Sequence, residues 1–162
     1  MKKARLFCCI IILLNSGLTY GQKVIQNYLS HFLPLSKELS AQYGIPVSII
    51  LGVSTLESGS GTSKNCRQLH NYFGVTGHNS LRKGRSVYKQ YATAEDSFRN
   101  FCEIVSRKSF YPKLRQNTDY AKWLVAMNHA SYASAKQVWI NRITNIIKKQ
   151  RLAQYDKRAI KV

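Results

Sequence analysis

Hydrophobic residues recur at helical spacing over most of the chain and predict a mainly helical fold. From Val24 to Tyr43 they return every three to four positions, which predicts an amphipathic helix that ends at Gly44. Pro46 suits the first turn of a second helix, since the N–H that it lacks would have had no partner there. Residues from Val47 to Glu57 are apolar nearly all round, so this helix should be central and buried. It should end at the glycine-rich run 58–61.

The rest of the chain combines one irregular stretch with further helices. Residues 62–92 hold several glycines and many polar positions, and we interpret them as an irregular lobe with one short hairpin. A third helix should open at Thr93, where Asp96 completes a variant of the capping box. Two more helices are predicted, at about Asp119–Asn128 and Ala135–Gln150. The basic tail Arg151–Val162 is weakly patterned, and we expect it to be frayed or to lie on the surface.

The first two dozen residues have the pattern of an export signal. A basic start over residues 2–5 precedes an apolar run over residues 6–14, and cleavage is expected after Gly21. The apolar run is shorter than the about 20 residues of a membrane span, so we expect no stable membrane insertion after cleavage. The alternatives are an uncleaved anchor or a lipoprotein attached through Cys8 or Cys9. Cleavage would place the protein in the periplasm or outside the cell.

Length and charge limit the organisation and the partners of the exported chain. Removal of residues 1–21 leaves about 140 residues, enough for one domain with a single core. We assign that domain to residues 22–152 and a basic tail to residues 153–162, and we expect a monomer. The formal charge of +18 favours an anionic partner, such as nucleic acid, lipid headgroups or cell-wall polymers. Export and the absence of a recognised nucleic-acid motif argue against nucleic acid and favour anionic cell-wall polymers.

The cysteines and histidines predict a disulfide and no metal site. Two of the four cysteines would leave with the signal, and outside the cytoplasm the remaining two, Cys66 and Cys102, are expected to pair. The alternative is two unpaired, half-buried thiols. Neither cysteine belongs to a CxxC pair, and the four histidines show no recurrent ligand spacing, so neither a metal nor another cofactor is expected.

The scarcity of acidic residues singles out one candidate for acid catalysis. Most of the seven acids fall at helix starts, on polar helix faces or in the tail: Glu38, Glu95, Asp96, Glu103, Asp119 and Asp156. Glu57 alone ends an apolar helix and faces a glycine-rich turn. Partial desolvation there would raise its pKa and keep a proton available near neutral pH, as a general acid requires. The alternative is a glutamate that caps the turn or pairs with a basic side chain.

Three segments carry a resemblance to a known family. The run Ser54-Thr55-Leu56-Glu57-Ser58-Gly59-Ser60-Gly61 is followed by Asn71-Tyr72-Phe73-Gly74-Val75 and by Ser131-Tyr132-Ala133-Ser134. Together they resemble the glucosaminidase domain of glycoside hydrolase family 73. In that family a helix ends in a Leu-Glu-Ser-Gly-x-Gly signature, an Asn-x-Phe-Gly turn lies below the cleft, and a Tyr-Ala-Thr motif sits opposite. The resemblance spans roughly residues 36–150.

The resemblance implies a mainly α, lysozyme-like α+β fold with a small irregular or hairpin lobe beside a cleft. It also implies that Glu57 protonates the bridging oxygen after an N-acetylglucosamine unit of peptidoglycan. Tyr132 matches a cleft tyrosine that holds the acetamido group or the attacking water. The remaining matches imply a substrate-binding set: Asn71, Tyr72, Phe73, Gly74 and Ser134. For Phe73 we favour core packing over contact, and for Gly74 a backbone role.

Two departures from the family pattern bear on mechanism. Ser60 stands where the family usually has a bulky aromatic residue, so one sugar-stacking surface is absent. Some relatives carry a second carboxylate in the hairpin, whereas residues 74–94 contain no acid before the next helix. The routes left are attack by the substrate's own N-acetyl oxygen, which we favour, or by a water near Tyr132. The rival functions are a lytic transglycosylase and a cell-wall-binding module without catalysis.

Overall fold

The computed structural model describes residues 2–82, 86–130 and 136–156, with side chains from residue 21 onward except at residue 136. Seven α-helices lie in these ranges, and a 3-10 helix, Leu152–Tyr155, follows the last of them. In chain order they are α1 (Lys2–Tyr43), α2 (Val47–Ser58), α3 (Lys64–Leu69), α4 (Ala94–Ser106), α5 (Tyr111–Leu114), α6 (Tyr120–His129) and α7 (Lys136–Lys149). The predicted mainly helical class is confirmed.

Helix α2 is the centre of the core, as its apolar sequence predicts. Ten of its twelve residues are buried, and α1, α6, α7 and the 3-10 helix all pack against it. Gly52 permits the close approach of α7, because a Cβ there would lie 3.1 Å from side-chain atoms of both Ile143 and Ile147. The buried row Trp139, Ile143 and Ile147 thereby brings one face of α7 onto α2.

The helix boundaries follow local capping signals. Helix α4 begins with the predicted capping box, in which Thr93 and Asp96 bond each other's backbone N–H. The Asp119 carboxylate caps α6 by accepting from the N–H groups of Ala121 and Lys122. Helix α1 begins well before the predicted Val24. Among the described helices, none is long and apolar enough to cross a membrane.

The described residues of the region, 62–82 and 86–92, form an irregular lobe with a minimal hairpin, in line with the sequence interpretation. An antiparallel bridge joins Thr76 to Tyr88, and the flanking backbone bonds run from Gly77 N to Val87 O and from Lys89 N to Val75 O. The short helix α3 was not predicted. Its N-terminus is capped by Ser63, whose hydroxyl accepts from the N–H of Cys66.

The expectation of a frayed tail is wrong as far as Asp156. Leu152 and Asp156 are each only 1% exposed. The Asp156 carboxylate accepts hydrogen bonds from the backbone N–H and the hydroxyl of Ser48, at 2.8 and 2.7 Å. The segment after α7, as far as Asp156, therefore contributes Leu152 to the core and caps the N-terminus of α2. Residues 157–162 lie outside the described part of the chain.

The predicted disulfide between Cys66 and Cys102 is absent, and both residues are buried free thiols. The reason is that the two helices carry them into different surroundings. The sulfur of Cys66 accepts a hydrogen bond from the hydroxyl of Tyr72, whereas Cys102 lies on the inner face of α4 within the main hydrophobic core. Burial raises the pKa of both thiols, which favours their neutral, unreactive form.

Candidate active site

Glu57 lies in the last turn of α2, where the helix ends at a left-handed glycine. Gly59 has φ +58°, and the N–H of Ser60 donates to the carbonyl of Thr55 at 2.9 Å. The Ser58 hydroxyl donates to the carbonyl of Ser54 at 2.6 Å and accepts from the N–H of Gly61 at 2.9 Å. These bonds hold the turn that follows Glu57, and they leave the glutamate half-buried at the surface of the core.

Glu57 borders a cleft of about 390 Å³ between the helical core and the irregular lobe. Its lining combines one carboxylate, one ammonium and several apolar groups: Glu57, Phe73, Gly74, Val75, Thr76, Ile104, Lys108 and Ala130. All seven acidic residues fall within the described ranges, and Glu57 is the one that lines this cleft. The cleft therefore contains a single candidate for acid chemistry.

The other acidic residues are occupied elsewhere. Glu38 and Glu95 pair with Arg99 at 3.4 and 3.3 Å. Asp96 and Glu103 line a separate depression of about 210 Å³, in which Glu103 accepts a hydrogen bond from Asn100. Within the described ranges, no group of three histidine, cysteine or acidic side chains is arranged to hold a metal ion.

Trp139 is the direct partner of Glu57, and sequence reasoning missed it. Its indole N–H donates to Oε1 of Glu57 at 2.8 Å. Burial raises the pKa of Glu57, and the hydrogen bond from Trp139 offsets part of that rise by stabilising the carboxylate. Trp139 begins the apolar row of α7, which predicts burial, but no signal in the sequence joins it to a residue 82 positions earlier.

The turn 71–75 brings the irregular lobe against Glu57. The Asn71 amide donates to the carbonyls of Val75 and Lys89 at 2.8 and 2.7 Å, and its oxygen accepts from the N–H of Val75 at 3.2 Å. Asn71 is only 2% exposed, so it organises the turn from below and does not reach into the cleft. Its contribution to substrate binding stays a prediction, and what the geometry shows is its hold on the turn beside Glu57.

Gly74 places bare backbone next to the Glu57 carboxyl group. Its φ of +67° favours glycine, and a Cβ added there would lie 3.5 Å from Oε2 of Glu57 and 3.9 Å from the Tyr88 ring. The backbone of Gly74 thus forms part of the cleft wall beside the carboxylate.

The two aromatic residues of the turn lie mainly in the core. Phe73 is 2% exposed and stacks on Phe101 with ring centroids 4.1 Å apart, although one edge lines the cleft. Tyr72 packs against Phe32 and Phe98, and it does not belong to the cleft lining. Ring packing therefore accounts for both residues. Tyr132 and Ser134, the remaining predicted site residues, lie outside the described residues.

Lys108 and Ile104 are further cleft residues that sequence reasoning did not identify. Ile104 faces the cleft from α4, and Lys108 follows the end of that helix. A larger apolar groove of about 530 Å³ lies between α5 and α6, but it contains no carboxylate. The smaller cleft, which contains the Glu57 carboxyl group, is therefore the candidate active site.

Comparison with solved structures identifies the fold. The catalytic domain of the autolysin Auto from Listeria monocytogenes matches with a TM-score of 0.66 at 18% identity, over 82% of this chain and 87% of that one. A peptidoglycan hydrolase from Sphingomonas sp. A1 matches with a TM-score of 0.64 at 18% identity, over 85% and 96%. The glycoside hydrolase domain of Salmonella typhimurium FlgJ matches with a TM-score of 0.61 at 21% identity, over 83% and 92%. The lysozyme-like fold is thus confirmed.

Comparison with sequences identifies the family. No curated protein sequence matches this chain. A family model described as glucosaminidase, mannosyl-glycoprotein endo-β-N-acetylglucosaminidase, matches residues 33–152. This range includes Glu57, the turn 71–75 and all of the cleft residues named above. The chain therefore belongs to the glucosaminidase family, glycoside hydrolase family 73, and is a glycoside hydrolase.

Proposed function

We propose that this glucosaminidase is exported and cleaves the glycan strands of peptidoglycan after N-acetylglucosamine, with Glu57 as its general acid. The observation that carries the proposal is the position of Glu57, the one acidic side chain of the cleft, half-buried beside Gly74 and Trp139. Two of the similar structures are named an autolysin and a peptidoglycan hydrolase, which supports the choice of substrate. The basic and apolar start of the sequence supports export.

In the proposed reaction, protonated Glu57 transfers its proton to the bridging oxygen as the C1–O bond breaks. The leaving sugar departs as a neutral alcohol, and Glu57 becomes a carboxylate. The raised pKa of Glu57 serves this step, because it keeps the acid protonated at higher pH than an ordinary glutamate with a pKa of about 4.3. In the second half of the reaction, the carboxylate takes a proton from the incoming water and is restored.

The nucleophile in this mechanism is the substrate's own N-acetyl oxygen. Its attack on C1 gives an oxazolinium ion, which water opens with net retention of configuration. A single acid in the cleft supports this route, because a pair of carboxylates is what the usual retaining and inverting mechanisms require. The alternative is direct attack by a water held near Tyr132, which inverts the configuration. Tyr132 is proposed as a catalytic residue in either case.

A lytic transglycosylase is the second candidate, because it too needs one acid. It would cut after N-acetylmuramic acid and leave a 1,6-anhydro end. Mass spectrometry of digested sacculi distinguishes the two activities, since the anhydro end is lighter by one water than a reducing end. We expect reducing N-acetylglucosamine ends.

The central test is Glu57→Gln assayed on purified sacculi. The amide keeps the shape of the side chain and an oxygen for Trp139, but it has no acidic proton to transfer to the leaving oxygen. We expect turnover to fall by about a hundred- to ten-thousand-fold while the fold is retained. Glu38→Gln is the matched control, because Glu38 is exposed and paired with Arg99, and it should leave turnover unchanged. A folded Glu57→Gln variant with more than about a tenth of wild-type turnover would remove Glu57 from the acid role, given the expected loss.

A further inference from the structure

We propose that Trp139 is a positioning residue that assigns the catalytic proton to Oε2 of Glu57 and aims it at the cleft beside Gly74. The inference rests on the proposed function, because it concerns the acid of that reaction. The proposed function does not say which carboxyl oxygen of Glu57 donates the proton or what holds the carboxyl group in place, and this inference adds both.

The hydrogen bond between Trp139 and Glu57 distinguishes the two oxygens of the carboxyl group. An indole N–H is a donor only, so the oxygen that it bonds must act as an acceptor. Oε1 of Glu57 receives this bond at 2.8 Å. When Glu57 is neutral, its carbonyl oxygen accepts more strongly than its hydroxyl oxygen, so the hydrogen bond from Trp139 to Oε1 favours the proton on Oε2. A proton on Oε1 would compete with the indole N–H for the same oxygen.

The other oxygen, Oε2, lies on the side of Glu57 next to Gly74. A Cβ built on Gly74 would lie 3.5 Å from Oε2, and Gly74 and Glu57 both line the cleft. The wall next to Oε2 is thus bare backbone, so a sugar oxygen can approach the proton on that side. The geometry separates the two oxygens of one carboxyl group, with Oε1 held by the protein and Oε2 turned to the substrate.

Helix packing holds the Trp139 side chain in place. Trp139 is 6% exposed, and Ile143 and Ile147, one and two helical turns further along α7, are fully buried against α2. Because Gly52 lies five residues before Glu57 in the same helix, the close contact at Gly52 sets the distance between the helices that carry the donor and the acceptor. Packing thus holds both partners of the bond, as precise acid catalysis requires.

The hydrogen bond from Trp139 also acts on the negative charge that Glu57 acquires during the reaction. When Oε2 loses its proton, the negative charge of the carboxylate is stabilised by the hydrogen bond from Trp139, which becomes charge-assisted. Lys108, after α4, and Tyr88, in the hairpin, also border the space around Glu57 and Gly74. Burial and the Trp139 bond are the causes that act on the pKa of Glu57, with burial the larger.

The experiment measures the pKa of the Glu57 carboxyl group and the turnover of the enzyme. The protein contains four glutamates, so NMR of protein labelled with carbon-13 at the side-chain carboxyl of glutamate gives four signals. The signal that disappears in Glu57→Gln is that of Glu57. Trp139→Phe should raise the pKa of Glu57 further and lower kcat by about 10- to 100-fold with a smaller effect on KM. The matched control is Trp123→Phe, because Trp123 is also buried but donates to the carbonyl of Asn117. It should leave the pKa of Glu57 and kcat unchanged.

A second variant removes the donor without changing the shape of the ring. The chain has two tryptophans, so in the Trp123→Phe background a benzothiophene analogue of tryptophan enters at position 139 alone. This analogue replaces the N–H by sulfur, and we expect the same raised pKa and lowered kcat. Wild-type kcat and an unchanged Glu57 pKa in this variant would overturn the inference. If instead Glu57→Gln itself stays active, the proposed function fails, so the two failures are distinguishable.

Discussion

Asp156 caps a helix from the far end of the chain, and its removal should cost more stability than the loss of a local cap. Helix α2 starts after Pro46, which offers no side-chain hydrogen bond, so the first N–H groups of the helix need partners from elsewhere. The Asp156 carboxylate supplies one by accepting from the N–H and the hydroxyl of Ser48 at 2.8 and 2.7 Å. Asp156→Ala removes both bonds and leaves the Ser48 donors buried.

The magnitude follows from these two donors. Loss of an exposed cap typically costs about 0.5–2 kcal/mol, and a buried donor left without a partner costs about 1–3 kcal/mol. The Ser48 hydroxyl can rotate toward another acceptor, whereas the N–H cannot. We therefore expect Asp156→Ala to lower the free energy of unfolding by about 2–4 kcal/mol. Asp156→Asn retains one acceptor oxygen and should cost about 1 kcal/mol.

The pH dependence has a definite sign. Burial raises the pKa of Asp156, and the hydrogen bonds from Ser48 offset only part of the rise. The folded protein thus binds this proton more tightly than the unfolded chain, whose aspartate pKa is about 3.9. The stability that this proton contributes is complete below the unfolded pKa and is lost as the pH rises through the folded pKa. The stability advantage of wild type over Asp156→Asn should accordingly shrink over that interval.

Urea unfolding followed by tryptophan fluorescence measures these differences. Asp119→Ala is the matched control, because Asp119 caps α6 locally and its side chain is 46% exposed. It should cost about 1 kcal/mol. If Asp156→Ala costs no more than Asp119→Ala, the buried cap does not stabilise α2 and the reasoning is refuted.

Two further predictions concern the cleft wall and the thiols. Gly74→Ala should lose at least about tenfold in turnover, because its Cβ, 3.5 Å from Oε2 of Glu57, would occupy the space through which a sugar oxygen approaches the proton. Gly44→Ala changes another glycine with positive φ that does not line the cleft, so it should lose stability but not turnover. Equal turnover in the two variants would contradict this. In protein without residues 1–21, unreduced Cys66 and Cys102 should resist thiol reagents when native and give two free thiols on unfolding. If no free thiol is found after unfolding, Cys66 and Cys102 are paired and this prediction is contradicted.

The sequence by itself determined the features that depend on near neighbours. The spacing of apolar residues located the main helices, the Thr93–Asp96 pair located the start of α4, and the apolar run up to Glu57 indicated a buried helix. The three motifs identified the family, which the match over residues 33–152 confirms. Each signal acts within a few helical turns, where the sequence separation of two residues determines their distance.

Only the tertiary structure decided which distant residues meet. Trp139 bonds Glu57 across 82 positions and Asp156 bonds Ser48 across 108, and neither pair has a local pattern. The same limit explains the wrong disulfide, because two cysteines in a sequence carry no information about the distance between their helices. Such contacts depend on how helix faces pack against α2, where single features such as the missing side chain of Gly52 determine how close two helices come.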